Sequence, residues 1–139
     1  DIATTSITFG NGEVRLTEDQ NLILTGITTA NLEALQAEPL LQRFALDPGY
    51  IAAGTVSCTG STYCSFALTN TKDQALTAAA KLDQELELPE EIKLHWTGCP
   101  NSCGQAYMGA IGLTGTKTKG AEGMVEGYNI TIAICKRFD

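Results

Sequence analysis

Four of the five cysteines occur as two close pairs, and their spacing is the strongest chemical signal in the sequence. Five residues separate Cys58 from Cys64, three separate Cys99 from Cys103, and 34 residues lie between the pairs. Glycine, proline and polar residues flank both pairs, and such residues permit tight turns from which thiolates can point towards one centre. Two loops carrying these pairs can therefore converge on a single metal centre with four sulfur ligands.

The spacing of the cysteines alone is also compatible with a zinc site or with simple packing in the core. Zinc fits poorly, because structural zinc sites usually place only about two to four residues between paired cysteines. Packing has to be considered because free cysteines are common in protein cores. We prefer packing for Cys135, which lies in a run of alternating isoleucines, and ligation for the two pairs. The odd number of cysteines favours a reducing compartment over a disulfide framework.

The composition is that of a globular domain and argues against two classes of partner. A chain of 139 residues can bury a sizeable core. The net charge is −7, so the basic surplus that drives nucleic-acid binding is missing. No apolar run approaches the roughly 20 residues of a membrane-spanning helix, so we expect no membrane partner. The first residue is Asp1 rather than Met, and we expect the chain to begin inside a longer product or after processing.

Hydropathy patterns predict a hairpin and a short helix early in the chain. Residues 13–25 alternate apolar and polar side chains on both sides of a polar turn, as two paired strands do. A short helix should begin at Thr28 or Thr29, which can cap it, and should end or bend at Pro39. Residues 40–56 show no clear period.

A longer helix is predicted between the two cysteine pairs. It should run from Thr71 to Leu88, because its apolar side chains share one face: Ala75, Ala79, Leu82 and Leu86. Thr71 and Gln74 match the pattern of a capping box, and Pro89 should stop the helix.

Three strands are predicted after this helix. Residues 92–97 alternate apolar and polar side chains and run directly into the Cys99 turn, so Cys99 and Cys103 should lie just past a strand end. Two further strands, at residues 111–113 and 128–134, should be joined by a glycine-rich loop at 119–127. The mixture of helices and strands predicts an α+β fold.

The two cysteine motifs resemble the iron–sulfur and siroheme signature of the nitrite and sulfite reductase family. They read Cys58-Thr-Gly-Ser-Thr-Tyr-Cys64 and Thr97-Gly-Cys99-Pro-Asn-Ser-Cys103-Gly-Gln. The likeness covers nearly the whole chain and includes residues 12–17, 20–21, 37–44 and 111–115. The Thr-Gly after Cys58 and the Asn-Ser-Cys-Gly-Gln run are more similar to the ferredoxin-dependent nitrite reductases than to the sulfite reductases.

The resemblance implies a fold and a set of cofactor ligands. It implies a ferredoxin-like half domain at residues 1–50, followed by an α/β mixed-sheet segment at 51–139 that binds a [4Fe-4S] cluster and siroheme. The implied cluster ligands are Cys58, Cys64, Cys99 and Cys103, and the Cys103 thiolate also ligates the siroheme iron. Further residues expected near the cofactors are Asn101, Thr59, Gly60 and Arg15.

The implied reaction is the six-electron reduction of nitrite to ammonia, with electrons from reduced ferredoxin. The substrate-facing Arg and Lys residues of the family lie largely in a preceding half, so we expect no catalytic residue here and no activity from this chain alone. Ferredoxin is acidic, and the charge of −7 indicates that it docks mostly on other parts of the protein. We expect a cytoplasmic location in a bacterium and the plastid stroma in a plant or alga. A sulfite reductase and a noncatalytic metal-binding or structural module are the alternatives.

Individual residues and the end of the chain add four smaller expectations. His95, the only histidine, lies on the predicted polar side of a strand and is interpreted as structural rather than as a proton donor. Trp96 and Tyr107 should belong to the core or a pocket wall, and Asn101 should hold the turn after Cys99-Pro100. Residues 133–139 depart from the expected glycine-rich continuation, so the segment is expected to be incomplete at its C-terminus.

Overall fold

A computed structural model describes residues 1–133, which form two units, one at Asp1–Pro48 and one that begins at Gly49. Predictions for Ile134 and Cys135, and for the end of the chain beyond Ala133, lie outside the described residues.

The first unit contains a two-stranded antiparallel sheet and three helices. Its elements are α1 (Ile2–Phe9), β1 (Val14–Leu16), β2 (Leu22–Leu24), α2 (Thr29–Gln36) and α3 (Pro39–Arg43). Arg15 lies opposite Ile23 in the sheet, which confirms the predicted hairpin. The carboxylate of Asp1 caps α1 by accepting a hydrogen bond from the Thr4 amide at 2.9 Å.

The start and end of the predicted short helix need correction. Helix α2 follows Thr28, but the Thr28 side chain makes no capping hydrogen bond. The helix ends at Gln36, and Pro39 begins α3 rather than ending α2. Proline is favoured at the first helical position because its missing N–H would have no partner within the helix there.

The second unit is a four-stranded mixed sheet with helices, which confirms the predicted α+β class. Its elements are α4 (Tyr50–Ala53), β3 (Thr55–Ser57), α5 (Lys72–Glu85), β4 (Leu94–Thr97), a 3₁₀ turn (Ala106–Met108), β5 (Ile111–Gly120) and β6 (Gly123–Ile132). The strand order is β3-β4-β5-β6. The first three strands are parallel, and β6 is antiparallel to β5.

The core of the second unit lies between α5 and the sheet. Ala75 and Ala79 of α5 are buried with Ile51 and with side chains of the central strands, namely Leu94, Trp96 and Leu113. Leu82 packs against this cluster, which confirms the face predicted for that part of the helix. The helix ends at Glu85, three residues before the predicted end, and Leu86 lies beyond it and is exposed.

Two strand predictions were wrong in informative ways. All four residues of β4 are buried, including His95 and Thr97, because both faces of this central strand are covered. Leu94 and Trp96 pack with α5 on one face, and His95 on the other contacts the Gly104 and Gln105 carbonyls. The predicted loop at residues 119–127 is mostly strand, since β5 and β6 pair continuously from Ile111 opposite Ile132 to Gly120 opposite Gly123.

Asp83 fixes α4 against α5, and its loss should destabilise the second unit. Its carboxylate oxygens accept hydrogen bonds from the Ile51 and Ala52 amides, each at 2.9 Å. Hydrogen bonds to charged groups contribute about 2 kcal/mol, so we expect Asp83→Ala to lower the free energy of unfolding by about that amount. Denaturant unfolding would measure this, with Glu87→Ala as an exposed carboxylate control. Equal midpoints for the two variants would contradict the prediction.

Candidate cofactor site

All four paired cysteines line one cavity of about 460 Å³ in the second unit. Cys58 follows β3, Cys64 lies in the loop before α5, and the other two follow β4. The other lining residues are Thr59, Tyr63, Ser65, Phe66, Ala67, Thr97 and Asn101. The two motifs, distant in sequence, therefore face the same space.

Backbone hydrogen bonds hold the two cysteine loops together. The Cys58 amide donates to the Trp96 carbonyl at 3.0 Å, which extends the pairing of β3 with β4. The Leu68 amide donates to the Gly98 carbonyl at 2.7 Å. The Gly98 amide in turn donates to the Cys58 sulfur at 3.2 Å. Each loop therefore positions the other.

Gly60 allows the first loop to turn. Its φ of +73° is unfavourable for other residues, and a Cβ there would lie 2.6 Å from the Thr71 amide nitrogen. The Gly60 carbonyl accepts a hydrogen bond from the Cys64 amide at 3.0 Å, which closes one turn between the two cysteines. Thr59 lines the cavity and is exposed, whereas Gly60 is buried. Their roles in cofactor binding stay predictions.

The second loop follows β4 and turns tightly at Cys99. The Ser102 amide donates to the Cys99 carbonyl at 3.1 Å and closes this turn. The predicted capping of the turn by Asn101 is therefore replaced by a backbone hydrogen bond, although Asn101 is exposed and lines the cavity. Asn101 as a cofactor contact stays a prediction.

Gly104 lets the second loop pass close to the first. A Cβ at this position would collide with the Trp96 carbonyl oxygen and would lie 3.1 Å from the Cys58 amide nitrogen. Only glycine fits this approach, so the end of the second cysteine motif can pack directly against the start of the first.

The four cysteines differ in exposure. Cys99 is buried, Cys58 and Cys64 are intermediate, and Cys103 is exposed. All four are free thiols rather than disulfides. Cys103 is therefore the ligand candidate most open to a second group outside the cavity.

The Cys58 thiol lies in surroundings that favour its thiolate. Burial acts to raise its pKa, but hydrogen bonds with the Gly98 and Gly60 amides and with the Thr71 and Thr97 hydroxyls together outweigh burial and lower the pKa from its usual value. Metal ligation requires the thiolate, so this shift favours Cys58 as a ligand.

The donor set matches the ligand type of a sulfur-ligated cluster. Within residues 1–133, no three His, Cys, Asp or Glu side chains are grouped closely enough to hold one metal ion. A four-iron cluster is larger than an ion, and its ligands stand around its periphery. Four free cysteines around a cavity of about 460 Å³ provide an all-sulfur periphery of that kind.

His95 contacts the backbone of the second loop just after Cys103. Its ring is buried, and Nδ1 lies 3.0 Å from the carbonyl oxygens of both Gly104 and Gln105. A proton on Nδ1 can donate to these carbonyls, directly after Cys103 in the chain. The predicted polar face was wrong, and the side chain contacts backbone rather than solvent.

The aromatic residues divide between core and surface. Trp96 is buried and meets Tyr128 edge-on, with ring centroids 5.0 Å apart. Tyr107 is 70% exposed and does not line the cavity, so its assignment to core or pocket wall was wrong. Tyr63 and Phe66, which the sequence pattern did not single out, lie at the cavity with their rings largely exposed. Tyr63 lies between the two cysteines of the first motif, and Phe66 lies two residues after Cys64. This closeness to the cysteines in the sequence was the signal that could have identified them.

Arg15 lies in the first unit, on β1. Its side chain is exposed and pairs with Glu13, with Nε 2.7 Å from Oε1. Its predicted role as a cofactor contact stays a prediction.

Comparison with known proteins identifies relatives of the chain. Residues 1–41 match the nitrite/sulfite reductase ferredoxin-like half domain. The chain is 53% identical to the ferredoxin–nitrite reductase of Synechococcus elongatus over 94% of its own length and 25% of that protein. It is 41% identical to the chloroplastic ferredoxin–nitrite reductase of Arabidopsis thaliana over 95% of its length and 23% of that protein. The chain thus spans about a quarter of these curated relatives.

A solved structure shares the fold. The NirA protein of Mycobacterium tuberculosis superposes with a TM-score of 0.84 at 27% identity, over 94% of this chain and 25% of that one. Among the described residues, the helices are all too short or too polar to cross a membrane.

Proposed function

We propose, from the membership of this chain in the nitrite/sulfite reductase family, that it supplies the iron–sulfur ligands of a ferredoxin-dependent nitrite reductase. The whole enzyme would reduce nitrite to ammonia with six electrons taken from reduced ferredoxin. The observation that carries the proposal is that all four cysteines of the two motifs line one cavity.

The proposed ligands of a [4Fe-4S] cluster are Cys58, Cys64, Cys99 and Cys103. The exposure of Cys103 supports the further proposal that its thiolate also ligates the iron of siroheme. When bound, these cofactors carry the electrons to the substrate, while the protein sets their potential and orientation. The cavity-lining Thr59 and Asn101, and the turn residue Gly60, are proposed to contact the cofactors, as is Arg15.

The residues of this chain hold and orient the cofactors rather than bind the substrate. The described residues that line the cavity include no Arg or Lys side chain. An anion such as nitrite, and the carboxylates of siroheme, need cationic partners, preferably Arg. We therefore propose that these partners come from other parts of the enzyme and that this chain alone is inactive.

The partner and location follow from the same relationship. The proposed electron donor is reduced ferredoxin, which is acidic, and a chain with a charge of −7 supports docking mostly on other parts of the enzyme. A plastid stroma location is proposed for a plant or algal protein, in line with the chloroplastic name of the Arabidopsis relative, and a cytoplasmic one for a bacterial protein.

Metal analysis tests the cluster. After anaerobic reconstitution with iron and sulfide, the protein should contain about four iron and four acid-labile sulfide per chain, with the broad visible absorbance of such a cluster. One zinc per chain without iron or sulfide would overturn the proposal in favour of a noncatalytic metal-binding module.

Turnover by the full-length enzyme tests the substrate. With reduced ferredoxin, nitrite should be consumed at a higher kcat/KM than sulfite, because the Asn-Ser-Cys-Gly-Gln motif and the named relatives both belong with nitrite. A preference for sulfite would identify a sulfite reductase and leave the cluster assignment intact.

A further inference from the structure

Thr71 occupies a helix-capping position without using its side chain to cap. It immediately precedes α5, yet its hydroxyl makes no hydrogen bond to the helix amides. The predicted capping box with Gln74 is therefore wrong. The Asn70 side chain takes over part of this role, since its Oδ1 accepts from the Asp73 amide at 3.4 Å. The capping pattern is present in the sequence, but the structure does not use the Thr71 side chain as a cap. The contacts of this side chain indicate another role.

The Thr71 hydroxyl is directed at Cys58 instead. It donates to the Cys58 carbonyl oxygen at 2.5 Å and lies 3.7 Å from the Cys58 sulfur. Thr71 is fully buried, so solvent does not compete for this hydroxyl. The hydroxyl has one proton, and because the Cys58 carbonyl takes it, Thr71 acts on a metal-bound Cys58 by holding the backbone that carries the sulfur.

The backbone around Thr71 is held from the sheet. The Asn70 amide donates to Glu126 Oε2 at 3.1 Å, and the Tyr128 hydroxyl donates to the Asn70 carbonyl at 2.6 Å. Glu126 and Tyr128 are two residues apart on β6 and so point to the same face. The strand therefore holds both backbone polar groups of the residue before Thr71, which fixes the backbone from which the Thr71 side chain extends.

We propose that Thr71 is a positioning residue for Cys58 and that its hydroxyl raises the reduction potential of a cluster bound there. This rests on the proposed function. Donors near a ligand sulfur stabilise the reduced, more negative cluster, and Cys58 already accepts the Gly98 amide at 3.2 Å. By holding the Cys58 carbonyl, Thr71 keeps the sulfur within reach of the Gly98 amide, and its effect on the potential runs through that hydrogen bond.

Potentiometric titration of the cluster-loaded full-length protein, monitored by electron paramagnetic resonance, tests the proposal. Thr71→Val keeps the shape and removes the hydroxyl, and its midpoint potential should shift to a more negative value. Thr71→Ser keeps the hydroxyl and should restore the wild-type potential. Thr69→Val is the matched control, because Thr69 is equally buried two residues away and its hydroxyl does not bond Cys58.

The outcomes separate this inference from the proposed function. A Thr71→Val potential equal to that of wild type or shifted positively overturns the role of Thr71, while the cluster assignment stands. A wild-type protein that takes up no iron and sulfide overturns the proposed function and this inference together. If Thr71→Val loses its cluster, the midpoint potential of Thr71→Ser decides. A Thr71→Ser potential that differs from that of wild type would overturn the role of the hydroxyl.

Discussion

Replacing Gly104 by alanine is expected to lower the free energy of unfolding by about 3 kcal/mol, because the added methyl has no room. Its Cβ would collide with the Trp96 carbonyl of the central strand β4 and crowd the Cys58 amide. The Trp96 carbonyl belongs to a paired strand and the Cys58 amide is hydrogen-bonded to it, so these backbone atoms cannot move aside as a flexible side chain could. Relief would require separating the two cysteine loops, so the variant should also retain less cluster than wild type.

Gly127→Ala provides the control for this prediction. A Cβ at Gly127 would come no closer than 3.0 Å to its nearest neighbour, the Thr118 side-chain methyl, which can adjust. Denaturant unfolding of both variants, with iron analysis after reconstitution, measures the difference. Similar unfolding midpoints for the two variants would show that the close approach at Gly104 is not needed.

The convergence of the two cysteine loops could be predicted from the sequence. The prediction used the spacing of the cysteines and the glycine, proline and polar residues that flank them. The strand before Cys99 was visible as an alternation of apolar and polar residues, and a strand end presents the following turn at the edge of a sheet. The alternation assumed for that strand was wrong, because His95 and Thr97 are covered in a central parallel strand. An alternating pattern indicates that one face of a strand is buried. It does not reveal a strand that is buried on both faces when the second face carries polar residues.

Glycines misled the prediction of the second hairpin. A glycine-rich stretch was interpreted as a loop at residues 119–127, but Gly120 lies in β5, and Gly123 and Gly127 lie in β6. A Cβ at Gly120 would meet the Val125 side chain, and one at Gly127 would meet the Thr118 side chain, each on the opposite strand of the hairpin. Such close approach is a tertiary property, and a single sequence does not distinguish it from flexibility.

Local motifs were likewise overridden by tertiary contacts. The capping box at Thr71 is a valid local pattern, but the hydroxyl finds a partner in Cys58, 13 residues earlier. The role of Thr71 was therefore invisible until the first cysteine loop was placed beside the start of α5. Helix α1 was missed for a different reason, since its many threonine and serine residues give no clear apolar period.

Replacing Cys99 by serine is expected to abolish retention of the cluster while the chain stays folded. Cys99 is the buried member of the four, so its ligand position is the least accessible to water or an added thiol that could substitute. Serine is close to cysteine in size, but its hydroxyl is far less acidic than a thiol and is a hard ligand that binds iron–sulfur clusters poorly. Iron and sulfide per chain should fall to background, a much larger loss than any positioning variant should give.

The matched control for Cys99→Ser is Cys135→Ser, because the sequence assigns Cys135 to packing rather than ligation. Iron, sulfide and visible absorbance should be measured together with circular dichroism after anaerobic reconstitution. Loss of the cluster only in Cys99→Ser, with helix content retained in both, is the expected result. Equal retention of iron by the two variants would remove Cys99 from the ligand set, and loss of the cluster from Cys135→Ser alone would show that the fifth cysteine is the ligand. The comparison decides between Cys99 and Cys135 as ligands because it changes one sulfur at a time in an otherwise identical protein.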